Sequence, residues 1–190
     1  WMSNWRYAHQ TPTAGWRGTM TLPRELCLQK VGDQTYLCAP VATEVAQAFR
    51  PLNPSVRYGH GLHENVDLAM GATGCFRLHI VADAHASWMV QLQNDVGQLW
   101  RLSFDADKAE YEVDRRHSQS QAIHPEFAAV HRVPRLDTTE VCDVVLYADT
   151  LSMETIADQG LTSITSLVFP DLPWTTLFVQ GNLQVGFSSL

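Results

Sequence analysis

Four cysteines and eight histidines are the side chains best able to hold a metal or attack a substrate, and their spacing decides whether they can. Cys27, Cys38, Cys75 and Cys142 form no C-x-x-C pair and have no paired histidines nearby, so no zinc site is expected. His60 and His63 are three apart, which suits a metal only on a helix, and Gly59 and Gly61 argue against a helix there. His117, His124 and His131 are scattered along a polar stretch and read as surface residues. Neither a metal nor a cofactor is expected. One cysteine pair has a second reading. If Gly32-Asp33 is a two-residue hairpin turn, Cys27 faces Cys38 at the roughly 4.5–5.5 Å Cα separation that a disulfide accepts. Free cysteine also packs as a small hydrophobe, and two buried free thiols are the expectation.

The elements that position these residues follow from bulk numbers and patterning. A chain of 190 residues with 45% hydrophobic content can bury a core. With 20 acidic residues against 13 Lys and Arg, the net charge of −7 repels phosphate-rich and anionic-lipid surfaces, which argues against nucleic acid as a partner. Apolar runs such as Ser87 to Leu92 fall far short of the roughly 20 residues of a spanning helix, so no membrane partner is expected. Trp1 is not an initiator methionine and no signal segment precedes it. A processed or partial chain is therefore expected, and any targeting signal of a secreted, periplasmic or cytoplasmic parent would lie upstream.

Period-two alternation dominates from Gly74 onward. Phe76, Leu78 and Ile80 alternate with Arg77 and His79; Trp88, Val90 and Leu92 with Gln91 and Gln93; Trp100, Leu102 and Phe104 with Arg101 and Ser103. Further strands are read at Glu110 to Val113, Val141 to Ala148, Thr162 to Phe169 and Thr175 to Gln180, with turns between them at Asn94-Asp95, Asp105 to Asp107, Asp158 to Gly160 and Gly181-Asn182. Short strands without intervening helices predict an all-β, two-sheet antiparallel β-sandwich. One helix is predicted over Val41 to Arg50, between Pro40 and Pro51, followed by an irregular link through Pro51, Pro54 and Gly59 to Gly61. Upstream, Trp1, Ser3, Trp5 and Tyr7 are expected on one face of a strand, and Thr19 to Gln29 as a second strand turning at Gly32-Asp33. A few strands of this kind need sheet partners to be stable.

The stretch W-M-S-N-W-R-Y-A (1–8), with T-P-T-A-G-W-R-G-T-M-T-L-P-R-E-L-C-L (11–28), resembles the last-blade motif of the β-fructosidases of glycoside hydrolase family 32, the invertase, levanase and exo-inulinase group. Y-E-V-D-R-R-H-S (111–118) resembles that family's strand-ending D-R-S motif. V-V-L-Y-A-D-T-L-S-M-E-T-I-A-D-Q-G (144–160) resembles its D-x-S-S-x-E-x-F-x-N-D-G stretch, with Ile156 where an aromatic is usual. The resemblance implies the closing strands of a five-bladed β-propeller over residues 1–39, a linker with a short helix over 40–62, and a C-terminal β-sandwich over 63–190.

Retaining glycoside hydrolysis needs two carboxyl groups about 5–5.5 Å apart. The family's motifs for them are W-M-N-D-P-N-G and Glu-Cys, with R-D-P for a stabilising aspartate, and none is matched here. Asn94-Asp95-Val96-Gly97 lacks the proline, Asp114-Arg115-Arg116 reverses R-D-P, and Glu140-Val141-Cys142 splits the Glu-Cys pair. No catalytic residue is therefore assigned. The resemblance implies that Trp5 lines the fructose pocket by stacking on sugar C–H faces, with Trp1 as second choice; burial between propeller strands is the competing reading of both. Arg24 and Glu25 read as members of an interface ion pair. The implied function is the bracing end of an enzyme acting on sucrose or a fructan, with the catalytic propeller as partner and possible homo-oligomer contacts. The alternatives are a carbohydrate-binding sandwich using Trp88, Trp100 and Trp174, and a subunit that completes a split hydrolase. Trp88 and Trp100 are in phase with core residues, which favours the brace.

Overall fold

Alternation translates directly into strands whose inner residues make the core. The computed structural model describes residues 2–52, 55–66 and 74–190. Strands β1 (Cys27–Val31) and β2 (Gln34–Cys38) form a hairpin. Helix α1 (Thr43–Ala48) follows, then the short strands β3 (Arg50–Pro51), β4 (Val56–Tyr58) and β5 (Leu62–Val66). The long strands are β6 (Phe76–Asp83), β7 (Trp88–Gln93), β8 (Leu99–Asp105), β9 (Glu110–Asp114), β10 (Val130–Pro134), β11 (Val141–Ala148), β12 (Ser152–Ala157), β13 (Thr162–Leu167), β14 (Thr176–Gln180) and β15 (Leu183–Ser189).

Two antiparallel sheets face each other. One runs β10-β9-β8-β7-β14-β5, the other β13-β12-β11-β6-β15-β3, with β4 also paired to β15. Phe76, Leu78 and Ile80 from the second sheet meet Trp88, Val90, Trp100 and Leu102 from the first in one buried cluster. Interdigitated inner faces of this kind are the two-sheet sandwich expected from the pattern.

Strand β12 shows why alternation does not mark every strand. Its inward residues Met153, Thr155 and Ala157 are buried, and its outward residues Glu154 and Ile156 are buried as well. A strand covered on both faces loses the period-two signature. The cover is the amino-terminal segment, whose Leu22 amide and Arg24 guanidinium both reach Glu154.

Four expectations are corrected. The opening residues are not a strand with Trp5 and Tyr7 on one face: Met2 bridges Thr19, and the chain then turns at residues 5–7 into a short 3-10 helix, Ala8–Gln10. The Asn4 side chain starts that turn by accepting the Arg6 amide at 2.9 Å. The second strand begins only at Cys27, because Pro23 offers no amide and the backbone around it makes one isolated bridge, Arg24 to Val41. The irregular link after α1 contains β3 and β4, which extend the second sheet, and leads into β5, which completes the first; Pro54 lies outside the described residues.

The fourth correction concerns the thiols. Cys27 and Cys38 are directly opposed with a Cα–Cα distance of 5.2 Å and form a disulfide. Cys27 is exposed, so the burial that a free thiol was expected to supply is absent. Closing a loop of sequence separation 11 by a disulfide stabilises by about 2–3 kcal/mol through the unfolded state. Reduction is therefore expected to lower the protection of the β1–β2 amides in hydrogen exchange, while sandwich amides that exchange by local opening stay unchanged. Equal loss in both regions would contradict that local role.

Candidate functional site

Trp5 stands at the tip of the Asn4 turn. The Tyr7 and Ala8 amides both donate to the Asn4 carbonyl, at 3.1 and 2.8 Å. Two residues of one turn thus face opposite fates, with Trp5 85% exposed and Tyr7 7% exposed. Trp1 lies outside the described residues.

Tyr7 is buried because the sandwich receives it. Strand β9 ends at Asp114, and the next residue, Arg115, is buried with its guanidinium turned toward the amino-terminal segment. Its Nη2 donates to the Tyr7 hydroxyl at 3.0 Å, and its Nη1 donates to the Leu167 carbonyl at 3.0 Å. The guanidinium carbon lies 4.1 Å from the Phe127 ring centroid, a cation–π contact in a desolvated setting. Tyr7 meets Phe127 edge-on at 5.3 Å between centroids. Met2, Tyr7, Ile123, Phe127, Leu167 and Phe169 make a second apolar cluster apart from the sandwich core. Arg6 adds a surface ion pair with Glu126. The buried charge of Arg115 is felt nearby: burial first, and then that charge, push His131 below its ordinary pKa. The sequence gives only a faint cue to this arrangement. Phe127 is a lone aromatic in a polar loop, and Arg115 lies in the stretch that resembles the D-R-S motif, which marks the residue without saying what it contacts.

A second contact ties the same segment to the other sheet. Glu154 accepts the Leu22 amide at 2.8 Å and pairs with Arg24 Nη2 at 2.5 Å, both side chains largely buried. Glu25, the neighbour of Arg24, instead accepts the Thr43 amide at the start of α1, at 3.3 Å. Phe49, capping α1, packs against Tyr147 on β11 at 5.5 Å between ring centroids. The Ala39 amide donates to the Gly160 carbonyl at 3.0 Å, where the chain crosses the β12–β13 turn.

The acidic residues considered above lie in structural roles. Asp95 accepts the Thr175 hydroxyl at 2.7 Å in the β7–β8 turn. Asp114 is gripped by the Arg116 side chain at 2.7–3.2 Å; burial raises its pKa, and the guanidinium overcomes that to hold it below the usual carboxylate range. Glu140 precedes β11, its carbonyl accepting the Ala84 amide at 2.9 Å. His63 lies on β5 with its ring nitrogen 3.3 Å from the Gly59 carbonyl. Trp88, Trp100 and Trp174 are 3%, 0% and 2% exposed in the core, so none presents a face to a sugar.

The chain as a whole is similar to known proteins in sequence and in fold. A model of the glycosyl hydrolases family 32 C-terminal region matches residues 50–190, and one of the family 32 N-terminal domain matches residues 1–40. The chain is 27% identical over 183 residues to an extracellular exo-inulinase of Aspergillus awamori, covering 90% of this chain and 33% of that protein. It is 24% identical over 179 residues to a levanase of Bacillus sp. strain L7, covering 90% of this chain and 19% of that one. It thus spans a third or less of these relatives. The crystal structure of exo-inulinase from Aspergillus awamori superposes with a TM-score of 0.87 at 22% identity, over 100% of this chain and 39% of that one. The β-fructofuranosidase of Schwanniomyces occidentalis gives 0.74 at 17% identity, over 98% and 43%. Matched over residues 1–40 and 50–190, this chain belongs to glycosyl hydrolase family 32.

Proposed function

We propose that this chain is the C-terminal part of a β-fructosidase that releases terminal β-D-fructosyl units from sucrose or fructans with retention. Residues 1–39 complete the catalytic β-propeller and the sandwich braces it, while the two carboxyl groups of the reaction come from propeller sequence outside these residues. The observation that carries this reading is the exposed apolar surface of the amino-terminal segment and its hairpin. Trp16, Met20, Leu26, Leu28 and Leu37 are 41–74% exposed, and Leu28 pairs with Leu37 across the hairpin. Opposed apolar side chains such as Leu28 and Leu37 are normally covered, and a two-stranded hairpin is marginal without sheet partners. Further propeller strands would satisfy both needs. The relatives named exo-inulinase and levanase support fructan or sucrose as the substrate class.

In this reading Trp5 supplies an apolar wall to the fructosyl pocket, with Trp1 beside it. Two stacked rings gain about 0.5–1.5 kcal/mol beyond the area they cover, and a sugar face on an indole is taken as comparable. In the enzyme that contains this chain, Trp5→Ala is expected to raise KM for sucrose about tenfold with a smaller change in kcat, since the stack acts on ground and transition states alike. Steady-state fructose release measures both constants. Unchanged KM and kcat would remove Trp5 from the site.

A further inference from the structure

The sandwich holds the turn that carries Trp5 from its buried side through Phe127 and Arg115. Arg115 emerges at the end of β9, is 2% exposed, and spends its two terminal nitrogens on Leu167 of β13 and on the Tyr7 hydroxyl, each at 3.0 Å. A buried guanidinium bonded to both parts of the molecule is a rigid link, because its planar fork fixes the directions of its hydrogen bonds. Its own position is fixed from behind. Ser118 donates its hydroxyl to the Arg115 carbonyl at 2.9 Å, and the Arg115 amide donates to the Ala129 carbonyl at 3.3 Å. Phe127 closes the other side, in contact with both the guanidinium and the Tyr7 ring.

Tyr7 in turn closes the turn on which Trp5 stands, since its amide donates to the Asn4 carbonyl at 3.1 Å. With Tyr7 fixed, the backbone directions at Trp5 and Arg6 are fixed by the turn. We propose that Arg115 is a positioning residue for the substrate site: acting through Tyr7, it sets the direction in which Trp5 projects. This makes the sandwich a determinant of substrate binding as well as a brace. The inference rests on the proposed role of Trp5 for its consequence in binding, while the coupling itself is a property of the 190-residue chain.

Two measurements separate these parts. Backbone amide relaxation of the 190-residue chain reads the coupling. Trp5 and Arg6 are expected to have order parameters of about 0.85 in the unmodified chain, falling below about 0.6 in Arg115→Met, with a smaller fall in Tyr7→Phe and little recovery in Arg115→Lys, whose ammonium keeps the charge but not the fork. Amides of β8 serve as the fold control and stay rigid. Tyr7→Phe removes a single hydroxyl, and carries the test if Arg115→Met does not fold. In the enzyme that contains this chain, Tyr7→Phe is expected to raise KM for sucrose about three- to tenfold with kcat nearly retained. Rigid Trp5 and Arg6 amides in the variants, or mobile amides with an unchanged KM in an enzyme where Trp5→Ala does raise KM, would overturn the proposal. An unchanged KM in Trp5→Ala would instead overturn the reading of Trp5 and leave the relaxation result to decide the coupling.

Discussion

Replacing Arg135 by methionine is expected to cost the sandwich about 3–5 kcal/mol, because it leaves a buried carboxylate without its cation. Asp158 lies in the turn between β12 and β13 with its side chain fully buried, and Arg135, just after β10, is 5% exposed. Arg135 Nε stands 3.2 Å from Asp158 Oδ2, and the Tyr111 hydroxyl donates to the same oxygen at 2.8 Å. The remaining nitrogens of Arg135 donate to the carbonyls of Thr139 and Val141, each at 2.9 Å. The pair therefore joins β9, β10, β11 and the β12–β13 turn, drawing the two sheets together at one end. Urea unfolding of the chain measures the loss, as a fall in midpoint without a change in slope. Adding Asp158→Asn to Arg135→Met removes the stranded charge and is expected to restore part of the stability, a coupling that a double-mutant cycle reads directly. A loss under about 1 kcal/mol for Arg135→Met would contradict a buried, mutually dependent pair.

Gly160→Ala is expected to be nearly as damaging, for a steric reason. Gly160 has φ of +85°, a left-handed conformation that costs a side-chain-bearing residue about 1–3 kcal/mol. A β-carbon there would also lie 2.3 Å from the Pro40 nitrogen and 2.5 Å from the Ala39 carbonyl carbon. Both are backbone atoms, so no side-chain rotation relieves the clash, and the stretch after β2 has to lift off the β12–β13 turn. Together the two effects come to about 3 kcal/mol or more. The damage has an address, since residues 39–42 carry the amino-terminal segment onto the sandwich. Limited proteolysis is expected to cut the Gly160→Ala chain in that stretch at protease levels that leave the unmodified chain whole. A variant with unchanged midpoint and cleavage pattern would show that the close approach of Gly160 to Ala39 and Pro40 does not hold the two parts together.

The sandwich was largely legible in the sequence, because strands with one wet and one dry face announce themselves by alternation. Trp88 and Trp100 fall in phase with Val90, Leu92, Leu102 and Phe104, and all are buried. Strand β12 escapes that logic because tertiary contacts bury Glu154 and Ile156 on its outer side, and no local pattern encodes a cover supplied by residues more than a hundred positions away. The opening segment misleads for the opposite reason. Trp5 and Tyr7 have the spacing of a strand face, yet the Asn4 side chain competes for the backbone and turns the chain. The cysteines illustrate a third case: the hairpin arithmetic brings Cys27 opposite Cys38, but the choice between thiols and a disulfide depended on exposure, which a short alternating hairpin does not declare. For the candidate site, the motif carried Trp5, whereas Arg115 and Phe127 become neighbours of Tyr7 only through the folding of a loop.

The most direct measurement is fructose release from sucrose and from inulin by the purified 190-residue chain, alone and after joining to the propeller strands that the proposed function places before it. The expected result is no release by the chain alone and turnover by the joined protein, since the proposed function draws both carboxyl groups, about 5–5.5 Å apart, from those strands. Fructose release by the isolated chain, or a folded joined protein that stays inert on both sugars, would contradict it.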